Sequence, residues 1–153
     1  MAQHEIDTVF TKFFFFLQKL HEKALKMSGT KHVELMETLT HRQAQAFFII
    51  GSLKKEYPEG MRIPELAGYV QLSSSMTSTV INEMIGKDLL AWVGHPEDRR
   101  VIRVTLSVLG TTIFQLFNEK IVEISERKLN ELPEELRNNF IEAVHLLCHD
   151  FGE

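Results

Sequence analysis

The chain has 153 residues, of which 44% are hydrophobic and 25% charged, and a formal net charge of −4. That length and apolar content suit one domain with a sizeable core, and no apolar run approaches the roughly 18 residues of a membrane-spanning helix. The acidic balance weighs against a purely electrostatic nucleic-acid binder, because phosphate contacts need Lys and Arg, yet it allows a chain whose basic residues gather on one edge.

Phe13–Leu17 is very apolar but short and bounded by Lys12 and Lys19. No basic region with a following cleavage site opens the chain, so a secretory signal is not expected. The single cysteine, Cys148, excludes an intrachain disulfide and fits a reducing cytoplasm. No internal repeat is visible.

The first element is a helix. Ile6, Val9, Phe10, Phe13, Phe14, Leu17 and Leu20 follow helical spacing, with Phe16 at the edge of the stripe and Phe15 nearly opposite it. Two apolar faces need two partners. One face can pack on its own domain and the other on a second subunit; a deeply buried core helix accounts for the pattern equally well. Met27–Val33 reads as a loop from its Ser-Gly-Thr content.

Thr40 and Gln43 have the spacing of a capping box, and the helix they start carries Ala44, Phe47, Phe48 and Leu53 and ends near Tyr57, before Pro58 and Gly60. Met61–Ile63 is a minimal strand. Pro64 suits the first turn of the next helix, whose inward face is Leu66, Ala67 and Val70. Leu72 is the apolar residue of a tight turn, and Ser73 or Ser74 caps the helix that follows. That helix has Val80, Ile81, Met84 and Ile85 at core spacing. Ser73, Ser74, Ser75, Thr77, Ser78, Thr79 and Asn82 offer short polar side chains that can approach base edges and phosphates. Taken alone, such a row is more often a solvated helix face.

Leu90–Val93 and Val101–Leu106 then alternate as paired strands around the charged loop Gly94-His95-Pro96-Glu97-Asp98-Arg99-Arg100. Helix, turn, helix and β-wing in that order make a DNA-reading module. Arg99 and Arg100 at the hairpin tip suit a narrow groove with concentrated negative potential, and Asp98 can brace an arginine and fix the wing's shape. An ordinary exposed charged turn is the plainer alternative. Gly110 to Leu129 returns to helix through Ile113, Phe114, Phe117, Ile121 and Ile124. Pro133, Glu134 and Glu135 start another helix, with the stripe Leu136, Phe140, Val144, Leu147 and Phe151. The terminal helices are more apolar than a small wing module needs, which points to a dimer interface.

The expected fold is therefore mainly α with a small β-wing: a winged helix–turn–helix head over residues 36–107, and helices in 1–30 and 108–153 forming a dimerisation region, all in one domain. In this element order, and in Leu66-Ala67, Leu72-Ser73, His95-Pro96-Glu97-Asp98-Arg99-Arg100, Leu106 and Gly110, the chain resembles the MarR family of bacterial transcription regulators over nearly its whole length. Ser107 stands where the family motif has threonine. The resemblance implies a homodimer on a pseudo-palindromic operator in double-stranded DNA, Arg100 in the minor groove and Asp98 steadying the wing. It also implies a small-molecule effector, with a pocket lined by Phe13, Phe14, Phe47, Phe48 or Trp92, although each of these aromatics taken singly reads as core.

Three departures bear on affinity and base preference. No Lys or Arg lies between Arg62 and Lys87, the strand before the wing reads Ala91-Trp92-Val93, and Asp88 replaces a glycine after the recognition helix. An alternative is thus a dimer that keeps the fold as a ligand-sensing or protein-interaction module with weak or no DNA binding. His145 and His149 have a spacing that can hold zinc, but two histidines in a last helix are more often surface or interface residues, and no metal or cofactor is expected. Cys148 reads as buried and inert rather than as a redox sensor. No nucleophile elbow, P-loop or dinucleotide fingerprint is present, so an enzyme is not expected; a cytoplasmic repressor is.

Overall fold

The computed structural model describes residues 3–94, 97–98 and 100–149. His95, Pro96 and Arg99 of the wing, and Phe151 of the last helical stripe, lie outside the described residues. In chain order the elements are α1 (Gln3–Met27), α2 (Thr30–Glu37), α3 (His41–Ser52), β1 (Met61–Arg62), α4 (Ile63–Val70), α5 (Ser74–Gly86), β2 (Leu90–Gly94), β3 (Ile102–Leu106), α6 (Val108–Asn130) and α7 (Glu134–His149). They form two compact units, Ser28–Phe117, and Met1–Met27 with Asn118–Glu153. No described helix is long and apolar enough to cross a membrane.

The central unit opens on a helix that the sequence reading missed. Residues 30–33, expected in a loop, are the first turn of α2. Gly29 takes φ 113, a conformation closed to most side chains, and its carbonyl accepts the Val33 N–H at 3.0 Å. The Ser-Gly pair therefore breaks one helix and starts another, rather than marking a long loop.

α3 begins on the expected capping box: Thr40 Oγ1 accepts the Gln43 N–H at 3.3 Å, and Gln43 Oε1 accepts the Thr40 N–H at 3.1 Å. It ends at Ser52, short of Tyr57, and continues as turns. The neighbouring Tyr69 of α4 raises the Tyr57 pKa above its ordinary value. The strands form an antiparallel sheet in the order β1-β3-β2, with Met61 opposite Val104, Leu90 opposite Leu106 and Trp92 opposite Val104. Gly60, at φ 96, lets the chain pass against the Val104 carbonyl, where a Cβ would stand 2.8 Å from the oxygen.

Phe47, Leu66, Ile81, Met84, Leu89, Leu90, Val104 and Ile113 are fully buried and form the core of this unit. Residues 108–117 group with it for a visible reason. The Phe114 ring meets that of Phe47 at 6.2 Å, and the Phe117 ring meets that of Phe48 at 4.6 Å. Gly51 leaves room for the Phe114 ring, which any Cβ there would strike.

In the other unit, Leu20, Ala24 and Ile124 are buried, while Val9, Phe10, Phe13, Phe14, Phe15, Phe16 and Leu17 of α1 are exposed. α7 has no buried residue among those described, and Leu136, Phe140, Ile141, Val144, Leu146 and Leu147 face outward. Phe13 and Phe140 meet edge to face at 6.4 Å. On α6, Glu123 pairs with Lys120 at 2.9 Å and Arg127 at 3.3 Å; the hydrogen bond from Lys120 holds its carboxyl below the usual range.

Candidate nucleic-acid interface

α4 and α5 are joined by a turn whose conformation is set at Gln71. This residue sits in the left-handed region at φ 55, and its N–H and that of Leu72 both reach the Ala67 carbonyl. Ser73 then caps α5, its Oγ accepting the Met76 N–H at 3.1 Å. At the other end, Leu89 N–H bonds Met84 O at 3.0 Å and Asp88 N–H bonds Ile85 O at 2.9 Å, the paired closure of a Schellman motif. Asp88 supplies the left-handed residue, at φ 58. Among the described residues Gln71 and Asp88 alone combine a side chain with positive φ, so the strained backbone brackets α5 at both ends.

α5 buries Thr77, Ile81 and Met84, spaced i, i+4 and i+7. Thr77 thus corrects the sequence expectation. It is 1% exposed, and its hydroxyl donates to the Ser73 carbonyl at 2.9 Å, so it packs inward instead of facing outward. Ser78 is half-buried. Ser73, Ser74, Ser75, Thr79 and Asn82 are exposed, as is Glu83, which the sequence reading left out of the site. The Thr79 hydroxyl donates back to the Ser75 carbonyl at 3.2 Å, leaving its lone pairs outward.

Beside α5, the exposed His41 and Arg42 of α3 line an open groove with Met76, Thr79 and Glu83. The N-terminal end of α3 therefore carries cationic or titratable groups next to a helix that has no Lys or Arg of its own. The capping box at Thr40 was legible in the sequence; that it lies against α5 depends on packing across some forty positions and was not.

The wing projects from β2 and β3. Asp98 Oδ1 accepts the Arg100 backbone N–H at 2.9 Å and stands 3.6 Å from the guanidinium Nε, while Val101 N–H bonds the Asp98 carbonyl at 3.1 Å. The Arg100 side chain is 94% exposed. Lower on the sheet, Arg103 pairs with Glu59 at 3.2 Å and Lys54 donates to Thr105 at 3.2 Å, tying β3 to the segment after α3.

This arrangement of helices and strands recurs in solved regulators. Streptococcus pneumoniae FabT in complex with DNA superposes with TM-score 0.76 at 15% identity, over 99% of this chain and 98% of that one. Staphylococcus aureus MepR bound to ethidium bromide superposes with TM-score 0.65 at 13% identity, over 95% of each chain. The fold is that of the MarR-type winged-helix regulators. In sequence, the chain is 26% identical over 113 residues to YpoP of Bacillus subtilis (strain 168), an uncharacterized HTH-type transcriptional regulator; the match spans 74% of this chain and 77% of that protein. No family model matches the chain.

Within this MarR-type fold, the aromatics considered for an effector divide between the units. Phe47, Phe48 and Trp92 belong to the central one, where Phe47 is fully buried, Phe48 packs on it at 5.3 Å and Trp92 is partly exposed on β2. Phe13 and Phe14 are exposed on α1. His145 and His149 lie on one face of α7 with Glu142 and Ile141, and no cluster of three or more metal-ligating side chains forms among the described residues. Cys148, read as buried, is exposed, since α7 buries none of its described residues.

Proposed function

We propose that this chain is a cytoplasmic transcription regulator that binds double-stranded DNA sequence-specifically as a homodimer, represses from a pseudo-palindromic operator, and is released by a small-molecule effector. The observation that carries this reading is the pairing of a capped helix α5, polar along its outer face, with a wing that holds Arg100 clear of the protein on an Asp98 brace. Ser73, Ser74, Ser75, Thr79 and Asn82 approach base edges and phosphates, and Arg99 and Arg100 take the backbone and minor groove. The exposed apolar faces of α1 and α7 support dimerisation, because a surface that apolar is rarely left to water. FabT with DNA and MepR with ethidium bromide support DNA and an effector as ligands of this architecture.

A second reading has its own observation. α5 carries no Lys or Arg and presents Glu83, in a chain of net charge −4, which fits a ligand-sensing or protein-binding dimer that no longer reads DNA. Selection of bound duplexes from a random pool separates the two. The regulator enriches a pseudo-palindrome with half-sites about one helical turn apart; the alternative enriches nothing, even at low salt.

A further inference from the structure

Glu83 occupies a position that a DNA-facing helix seldom gives to an acid. On α5 the buried side is Thr77, Ile81 and Met84, and the opposite ridge runs through Ser75, Thr79, Asn82 and Glu83. Glu83 lies one turn beyond Thr79, and both line the groove shared with Arg42. It is the one acidic side chain on α5.

Its carboxylate is also held in place. Gln43 Nε2 donates to Glu83 Oε2 at 2.7 Å. Gln43 is itself 4% exposed and fixed at its other end, where Oε1 accepts the Thr40 N–H at 3.1 Å and Lys87 Nζ at 3.2 Å. Lys87 is anchored in turn on the Thr38 carbonyl at 2.8 Å. A surface glutamate near phosphates would ordinarily swing away from them. Here the swing is opposed by a chain of hydrogen bonds running back to the start of α3 and the end of α2, and the lysine of that chain bonds the Gln43 amide oxygen.

We infer that Glu83 is a specificity-determining residue that accepts a hydrogen bond from the exocyclic amine of a cytosine in the major groove, and that Gln43 is its positioning residue. The inference rests on the DNA-binding reading above. The base follows from donor and acceptor patterns. Cytosine offers an N4 amine there with no acceptor on its own edge. Guanine O6 and N7 and thymine O4 repel a carboxylate, and the adenine N6 donor lies beside the N7 acceptor. A glutamine in the same place prefers adenine, whose N6 and N7 match its amide.

The test is selection from a random duplex pool by the full-length wild type, Glu83→Gln, Glu83→Ala and Gln43→Leu, with folding checked by circular dichroism. Wild type favours cytosine at one position of each half-site by about fivefold or more over the other bases. Glu83→Gln moves that position to adenine, and Glu83→Ala leaves it without preference; the rest of the motif stands in both. Gln43→Leu blurs the same position with Glu83 still present, which a merely structural loss would not confine to one base pair. Loss of a negative charge near phosphates strengthens binding to every sequence, so the ratio between bases is the readout, not affinity. A wild-type motif left unchanged at every position by both Glu83 substitutions overturns the inference while the DNA-binding reading stands. A wild type that enriches no sequence overturns both.

Discussion

Ser107 Oγ donates to the Asp88 carbonyl at 2.6 Å and accepts the Gly110 N–H at 2.8 Å, so one hydroxyl closes the end of α5 and caps the start of α6. Ser107 N–H adds a bond to the Leu89 carbonyl at 3.0 Å, and a Cβ on Gly110 would collide with that carbonyl. The end of α5 is thereby fastened to the start of α6, with Asp88 and Leu89 on one side and Ser107 and Gly110 on the other. Ser107→Ala is expected to lower unfolding stability by about 1–2 kcal/mol, as for a lost N-cap, with Ser107→Thr close to wild type. Gly110→Ala is expected to cost about 1–3 kcal/mol despite alanine's higher helix propensity, because the backbone must separate to admit the methyl. Urea unfolding midpoints measure both; a Gly110→Ala protein as stable as wild type would show that the close approach is not maintained.

Asp88 holds the left-handed position that closes α5, at φ 58. Glycine takes this conformation without a Cβ penalty, whereas a β-branched residue is strongly disfavoured there. Asp88→Gly should therefore stabilise the protein by roughly 0.5–1 kcal/mol and Asp88→Val destabilise it by more. Thermal unfolding of the pair decides the matter, and equal midpoints would contradict the assigned cap.

Much of this was legible in the sequence. The Thr40–Gln43 capping box, the Ser73 cap, Pro64 in the first turn of α4 and the Asp98–Arg100 wing turn are all local. Each is set by residues a few positions apart; for the α5 cap the sequence left Ser73 and Ser74 open, and the structure takes Ser73. Thr77 is less plain: its spacing from Ile81 and Met84 puts it inside, while the Ser/Thr row around it suggests an outward face. The start of α2 is not legible, because Ser28 and Gly29 resemble a loop in composition. The Gln43–Glu83 bond joins residues forty positions apart, and no local pattern announces it.

Tyr57 and Tyr69 give the central unit an alkaline signature. Tyr69 beside it is the largest cause raising the Tyr57 pKa above its ordinary 10.0. A raised folded-state pKa means stability that is fully present below the ordinary value and lost as pH rises through the raised one. Spectrophotometric titration should show one tyrosine ionising late, and Tyr69→Phe should return it to the ordinary range. An unchanged titration in Tyr69→Phe would show that Tyr69 does not raise the Tyr57 pKa.

The apolar ridges of α1 and α7 lead to an expectation about assembly. Phe140 and Leu147 are exposed in the single chain, and a charge placed on a dimer's apolar face is strongly unfavourable when buried. Phe140→Asp with Leu147→Asp should convert a dimer to a folded monomer in sedimentation equilibrium. A wild type that sediments as a monomer at micromolar concentration would contradict the homodimer directly.

On the reading proposed above, this acidic chain binds duplex DNA through a few well-placed groups, Arg100 of the wing among them. The most direct test is the salt dependence of affinity for the selected duplex, in wild type and Arg100→Ala. Expected are a straight fall of log affinity with log salt, severalfold weaker binding by Arg100→Ala, and a slope for that variant shallower by about 0.9, the loss of one phosphate contact. Equal slopes and equal affinities for the two proteins would contradict the wing's role, and no measurable binding by wild type at low salt would contradict DNA binding itself.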